Sequence, residues 1–150
     1  MSGKDILVLG IGNDLLGDDA IGLLVAEALR EDGLSVRTGV RSGLALLDEV
    51  VGARRVLLID SQTTGGRPGT ISEFSLEPSV VRSPSAHYVG YGEALAIGVA
   101  VGLEMPEEIR VVAVERTPEV YLGADLSEPV RAALPALVER ARNVIQEWLC

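Results

Sequence analysis

The stretch "DILVLGIGNDLLGDDAIGLLVAEALREDGLSVRTGV", residues 5–40, decides the fold of this 150-residue chain. It opens with a short apolar run, "DILVLGIG", and closes with a second one, "LSVRTGV". Between the two runs, apolar residues recur at helical spacing. A strand, a helix and a second strand in this order are typical of a βαβ unit in a parallel sheet. We therefore expect an α/β fold.

The helix of this first unit has one apolar face in the sequence pattern. We predict that this face packs on the sheet and is formed by Ile21, Leu24, Val25, Ala28 and Leu29. Asp18 stands just ahead of the apolar pattern, and aspartate is a favoured residue at a helix N-cap. We therefore predict that Asp18 caps this helix.

The remaining strands extend the sheet. A shorter helical stretch leads to the apolar run "RRVLLID" (54–60), which completes a β-α-β-α-β unit. The run "GTISEFS" (69–75) follows too soon for a crossover helix, so we expect that strand to be antiparallel to its neighbour. The run "EIRVVAVE" (108–115) is the fifth predicted strand. The sequence therefore predicts one domain over residues 1–150, a three-layer α/β/α sandwich with a mixed, mostly parallel five-stranded sheet.

Three further segments lie between and after these strands. Residues 76–86, "LEPSVVRSPSA", have no clear periodicity and are expected to form a surface loop. The apolar run "ALAIGVAVGL" (94–103) predicts a buried helix, since it is too short to span a membrane. Residues 127–149 predict a closing helix that begins at Ser127 and is kinked or split at Pro135.

Composition excludes several classes of function. The formal net charge of -9 disfavours binding to nucleic acid, whose phosphates are negative as well. The single cysteine allows no intramolecular disulfide and no thiolate cluster for zinc. With no secretory leader or membrane-length run in the sequence, we expect a cytoplasmic protein without membrane contact.

The first motif, "LGIGNDLLGDDAIG" (9–22), has two competing interpretations. Gly-x-Gly between a strand and a helix is typical of a dinucleotide site, but position 15, where a third glycine is expected, is a leucine. Asp18 and Asp19 also place negative charge where a phosphate would bind. We therefore interpret Gly10 and Gly12 as positions of close backbone approach, with the two aspartates as a helix cap or as metal ligands.

Two other residues converge on the same region. Asp60 ends the third apolar run, and the carboxyl ends of the first and third strands should flank the point where strand order reverses, which is where open α/β sheets bind ligands. His87 is the only histidine. Two carboxylates and an imidazole suit nickel, iron, zinc or manganese. The alternatives are a capped turn for Asp60 and a surface or core position for His87.

Four segments together resemble a known family. They are "LGIGNDLLGDDAIG" (9–22), "LLIDSQ" (57–62), "SPSAHYVGYGEAL" (83–95) and "AVERTPEVYLGADLSEPV" (113–130). In order and spacing they are similar to the hydrogenase maturation endopeptidases. These enzymes remove a short C-terminal tail from the large subunit of nickel-iron hydrogenases.

The resemblance implies a site and a substrate. The positions that match the metal-binding triad of the family are Asp19, Asp60 and His87, which would be both the catalytic and the metal-contacting residues. The metal is nickel carried by the precursor of the hydrogenase large subunit, and other divalent metals are compatible with the site. The family is described as aspartic-type, and we expect a monomer. The segment "TGVRSG" (38–43) lacks an acidic residue common in the family, which leaves the type of hydrogenase open.

Two alternatives belong to other classes. A nucleotide-binding or metal-chaperone module would use Gly10 and Gly12 without proteolysis. A peptidyl-tRNA hydrolase-like enzyme would share the sheet and the start of the motif. The negative charge and the position of His87 disfavour the second alternative.

Overall fold

The computed structural model of the chain describes residues 5–13, 17–39, 43–78, 90–119, 122–123 and 125–150. The five predicted strands are confirmed: β1 (Ile6–Ile11), β2 (Ser35–Gly39), β3 (Arg55–Gln62), β4 (Ile71–Ser75) and β5 (Glu108–Glu115). The helices are α1 (Ile21–Glu31), α2 (Gly43–Val50), α3 (Tyr91–Ala100) and α4 (Glu128–Leu149), and a 3₁₀ turn (Gly17–Ala20) precedes α1. Of the predicted loop over 76–86, residues 79–86 lie outside the described residues. His87 lies outside them as well.

The strands form one mixed sheet in the order β2-β1-β3-β5-β4. β1 pairs in parallel with β2 on one side and with β3 on the other, and β3 pairs in parallel with β5. β4 is antiparallel to β5, as its short connection predicted. The order of the strands reverses between β1 and β3, so the expected ligand crevice lies at the carboxyl ends of these two strands.

Helices cover both faces of the sheet. One buried cluster joins α1 and α4 to one face of the central strands, and a second joins α2 and α3 to the other face. This arrangement confirms the predicted three-layer sandwich. In the described part of the chain, no helix combines the length and the apolar character needed to cross a membrane.

The buried face of α1 differs from the predicted one. Gly22 and Ala26 face β1 together with Val25 and Leu29, whereas Leu24 is 44% exposed. A Cβ atom on Gly10 would lie 2.6 Å from both the Ala26 Cβ and the Gly22 carbonyl oxygen. Because the helix approaches β1 so closely, only its smallest side chains fit against the strand, and Leu24 is turned outward.

The apolar run at 94–103 begins in a helix, as predicted, but it is only half buried, so the predicted burial was wrong. α3 ends at Ala100, and Ala94, Leu95 and Gly98 are buried against the sheet and α2. The other face and the turn after the helix expose Ile97, Val99, Val101 and Leu103. The sheet accepts one face of a helix, so a run that is apolar on all sides cannot be buried by it completely.

The closing helix begins where the sequence predicted, with Ser127 as the N-cap residue. It is assigned as one continuous helix through Pro135, so the predicted split is not observed. Proline lacks the N–H that would bond to the carbonyl of Arg131. Both residues lie on the exposed face of α4, where water can bond to that carbonyl.

Candidate active site

The candidate site lies where α1 and the 3₁₀ turn approach the carboxyl end of β1. A Cβ atom on Gly12 would lie 1.9 Å from the Asp19 carbonyl oxygen. A Cβ atom on Gly22 would lie 2.4 Å from the carbonyl oxygen of Ile11 and 2.6 Å from that of Ile59. Glycine is therefore required at both positions because backbone meets backbone there. These contacts fix the two aspartates of the first motif relative to β1 and β3.

The backbone amides of the glycine-rich loop are bonded within the protein. The Gly12 N–H donates to the Gly39 carbonyl at 3.1 Å, and the Asn13 N–H donates to the Asp19 carbonyl at 3.2 Å. A phosphate cradle needs such amides to point at the ligand. The geometry of these two amides therefore favours close backbone packing over nucleotide binding in this loop.

Asp18 is not the cap of α1, contrary to the sequence prediction. The N-cap residue of α1 is Ala20, without a side-chain capping bond. Asp18 is 95% buried and accepts hydrogen bonds from Ser127, at 2.6 Å from the backbone N–H and 2.7 Å from Oγ. It therefore binds the N-terminus of α4, where the helix dipole favours a negative charge. The helix that it stabilises is the last one in the chain.

Asp19 and Asp60 both accept a hydrogen bond from Ser61. The Ser61 N–H donates to Asp60 Oδ1 at 2.8 Å, and the Ser61 Oγ donates to Asp19 Oδ1 at 3.2 Å. Asp60 and Ser61 are fully buried in β3, whereas Asp19 is half-buried. Two of the three predicted site residues thus share one neighbour at the switch point of the sheet.

A cationic side chain completes this cluster. Arg116 follows the last residue of β5, and its backbone N–H donates to the Gln62 carbonyl at 2.9 Å. Its Nε donates to Ser61 Oγ at 3.2 Å, and its Nη1 donates to the carbonyls of Thr117 and Pro118 at 2.9 and 3.2 Å. The guanidinium group therefore places positive charge beside the Ser61 hydroxyl, which contacts the Asp19 carboxylate.

A third buried carboxylate, Glu115, is used differently. It is 3% exposed and accepts hydrogen bonds from the Thr64 N–H at 2.7 Å and the Thr64 Oγ1 at 2.6 Å. The Glu115 backbone also bonds to Gly69 and Thr70. Its side chain and backbone together hold the connection between β3 and β4 against the carboxyl end of β5.

The third predicted site residue, His87, lies outside the described residues, as does Arg41 of the segment that departs from the family pattern. Within the described ranges, no group of three histidine, cysteine or acidic residues is arranged to hold a metal. The triad of Asp19, Asp60 and His87 stays a prediction.

Sequence reasoning missed Ser61, Arg116 and the partner of Asp18. Arg116 carried the same signal as Asp60, because both are charged residues at the carboxyl end of a buried apolar strand. Ser61 follows Asp60 directly, and it has two separate donors: its backbone N–H donates to Asp60 and its hydroxyl donates to Asp19. The bond between Asp18 and Ser127 could not be predicted from neighbouring residues, because 109 positions separate the two.

This arrangement is suited to hydrolysis that needs a general base and an electrophile. Buried carboxylates attract a cation, and a carboxylate near a water molecule can take its proton. A divalent cation held by carboxylates can also polarise a carbonyl group.

No family model matches the chain. Comparison with individual known proteins does find relatives, and the two described next are proteins of hydrogenase expression and maturation. It is 30% identical to the hydrogenase expression/formation protein HupD of Rhizobium leguminosarum bv. viciae, over 95% of this chain and 75% of that protein. It is 28% identical to the hydrogenase 2 maturation protease of Escherichia coli, over 95% of this chain and 91% of that protein.

A solved structure has the same fold. The hydrogenase-maturating endopeptidase HybD from E. coli superposes with a TM-score of 0.77 at 27% identity, covering 95% of this chain and 92% of that one. The mixed sheet and its helices are therefore those of a maturation protease, as the four sequence segments indicated. The chain belongs to the hydrogenase maturation protease family.

Proposed function

We propose that this protein is an endopeptidase that removes the C-terminal tail of a nickel-iron hydrogenase large-subunit precursor after nickel has been inserted. The observation that carries the proposal is that Asp19 and Asp60 both hydrogen-bond to Ser61 at the switch point, in a chain of the maturation protease family. The substrate is a protein, so the crevice receives a chain end rather than a small molecule.

Three residues of this chain would meet the substrate. Asp19 and Asp60 supply carboxylate oxygens and His87 supplies an imidazole, and this mixture suits nickel that already has ligands in the precursor. The bound nickel then acts as a recognition element, because a precursor without nickel offers no cation to the carboxylates of Asp19 and Asp60. Nickel supplies Lewis-acid polarisation of the scissile carbonyl.

The chemistry assigned to this chain is that of an aspartic-type endopeptidase. A carboxylate takes a proton from water as the oxygen attacks the carbonyl carbon, and the proton is returned to the nitrogen as the C–N bond breaks. We assign this base to the Asp19–Asp60 pair. We further propose that the protein acts as a monomer in the cytoplasm, consistent with its single cysteine.

The test is a processing reaction with purified, nickel-loaded precursor, followed by mass spectrometry of the large subunit. We expect the wild type to remove the tail from the loaded precursor and to leave a nickel-free precursor intact. The variants Asp19→Asn, Asp60→Asn and His87→Ala should lose at least about 100-fold in rate, as expected for residues that touch the reacting groups.

A matched control uses an aspartate away from the crevice. Asp32 pairs with Arg142 at 2.8 Å on the surface, and Asp32→Asn should process at the wild-type rate. Normal processing by all three site variants, each shown to be folded, would refute the assigned site. Micromolar binding of NAD or ATP would instead favour a nucleotide-binding module.

A further inference from the structure

We propose that Arg116 is a positioning residue for the proteolytic reaction and acts through the Ser61 hydroxyl on Asp19. The inference rests on the proposed function, since it assigns Asp19 to the reacting site. Neither the sequence motifs nor the family resemblance assigned a role to Arg116 or Ser61.

The direction of the hydrogen bonds carries the argument. The Nε–H of an arginine can only donate, so Ser61 Oγ must accept from Arg116 at 3.2 Å. The single proton of that hydroxyl is then available to Asp19 Oδ1, which is also 3.2 Å away. The chain of bonds therefore runs one way, from guanidinium to hydroxyl to carboxylate.

The guanidinium group is itself held in place at several points. Nη1 donates to two consecutive carbonyls, those of Thr117 and Pro118, while the Arg116 backbone is bonded to the end of β3. A planar group with donors in fixed directions loses its orientation if any of these bonds is lost. Arg116 thus ties the chain after β5 to the residue that links Asp19 and Asp60.

The consequence for Asp19 is a fixed carboxylate. Oδ1 is occupied by the Ser61 hydroxyl, and Oδ2 has no hydrogen-bond partner within the described part of the chain. We assign Oδ2 to the substrate. Outer partners that orient a ligating or catalytic carboxylate typically contribute about 10- to 100-fold in activity or metal affinity.

A double-mutant cycle in the processing reaction tests this role. The variants are Arg116→Met, which keeps the aliphatic stem, Ser61→Ala, and the two combined. We expect each single variant to lower kcat about 10- to 100-fold with less than about a twofold change in KM for the precursor. Because Arg116 acts through Ser61, the double variant should be within about twofold of Ser61→Ala alone.

Two further variants test whether Arg116 acts through its hydrogen bonds rather than through its charge, and whether loss of an arginine elsewhere also lowers activity. Arg116→Lys keeps the charge but cannot donate to Ser61 and to both carbonyls in one plane, so it should stay impaired. Arg142→Ala removes a surface arginine paired with Asp32 and should keep wild-type kcat. The melting temperature of each variant is measured alongside its kinetics.

The outcomes distinguish this proposal from the one it rests on. Multiplicative effects in the double variant, full activity of Arg116→Lys, or wild-type kcat in Arg116→Met would each overturn the positioning role. The same results with Asp19→Asn inactive would leave the proposed function standing. Full activity of Asp19→Asn would refute the proposed function itself.

Discussion

Asp18 and Asp19 are adjacent in sequence but contact different parts of the molecule. Asp18 is buried and binds the first residues leading into α4, whereas Asp19 is half-buried and contacts Ser61 at the end of β3. The buried Asp18 carboxylate accepts from two donors of Ser127, which is itself half-buried, and a buried acceptor or a half-buried donor left without a partner is costly. The first aspartate thus serves stability, and we assign the second to chemistry.

Substitution of each aspartate by alanine should therefore lower stability by different amounts. Asp18→Ala leaves the N-terminus of α4 without its acceptor and should lower the free energy of unfolding by about 2 to 3 kcal/mol. Asp19→Ala loses one hydrogen bond at a half-exposed side chain and should cost less than about 1 kcal/mol. Urea denaturation measures both values. An equal loss of stability in the two variants would contradict this division.

The site residues that sequence predicted are those that stand out by type and position along the chain. Asp60 was predicted because a charged residue at the end of a buried strand is conspicuous, and the switch point could be derived from two crossovers. The partner of Asp18 could not be found, because Ser127 is 109 residues away and helix-capping rules consider only the next few residues. His87 stays a prediction.

At the scale of elements, α1 is fixed by the contact of two backbones. Gly22 lies above the carbonyl oxygens of Ile11 and Ile59, and Gly10 lies below Ala26. Since these carbonyls belong to paired strands, they cannot move away from an added methyl group without disturbing the sheet. The position of the 3₁₀ turn, and with it that of Asp19, depends on this contact.

Gly22→Ala should destabilise the protein although alanine favours helix. The gain in helix propensity is about 1 kcal/mol at most, and overpacking against fixed backbone costs about 1 to 3 kcal/mol. We expect a net loss in thermal denaturation. Gly98→Ala is the matched control: the nearest atom to its Cβ is the Met105 Sδ at 2.7 Å, in a flexible side chain that can shift. It should be neutral or stabilising, and a loss as large as that of Gly22→Ala would contradict the argument.

The strands were easier to predict than the helix faces. The central strands β1, β3 and β5 are short, buried apolar runs bounded by turn residues, which a local pattern detects. Which face of α1 is buried depends on Gly22 and Ala26, whose small size the hydrophobic pattern ranks below Leu24. The short distance between α1 and β1 is a tertiary property, and it determines the buried face of α1 where the hydrophobic pattern predicts a different one.

Across the whole molecule, exposed apolar side chains are concentrated in the layer of α2 and α3. Apart from Leu24, Leu122 and Leu149, the large apolar residues that are exposed among those described lie in or next to these helices: Leu44, Val51, Ile97, Val99, Val101 and Leu103. Both helices are short, at 8 and 10 residues, against 22 for α4 on the opposite face. The layer of α2 and α3 therefore covers its face of the sheet with fewer helical residues than the layer that contains α4.

Lysine substitutions separate the two faces of α3. Val101 is 66% exposed at the end of the helix, so Val101→Lys should change the free energy of unfolding by less than about 0.5 kcal/mol, with the helix dipole favouring the charge. Leu95 is 2% exposed, and Leu95→Lys should unfold the protein because it moves an ammonium group from water into the apolar contact between α3 and the sheet. Circular dichroism and melting temperature record both. Tolerance of Leu95→Lys would contradict the assigned faces.

The bond between Asp18 and Ser127 also has a consequence for the order in which the protein is made. A ribosome synthesises the first motif early, but the acceptor at Asp18 meets its donors only after 109 further residues have been added. A nascent chain that stops before residue 127 would therefore carry the Asp18 carboxylate without these two donors. The bond that ties the first motif to α4 therefore forms only when nearly all of these 150 residues are available to fold.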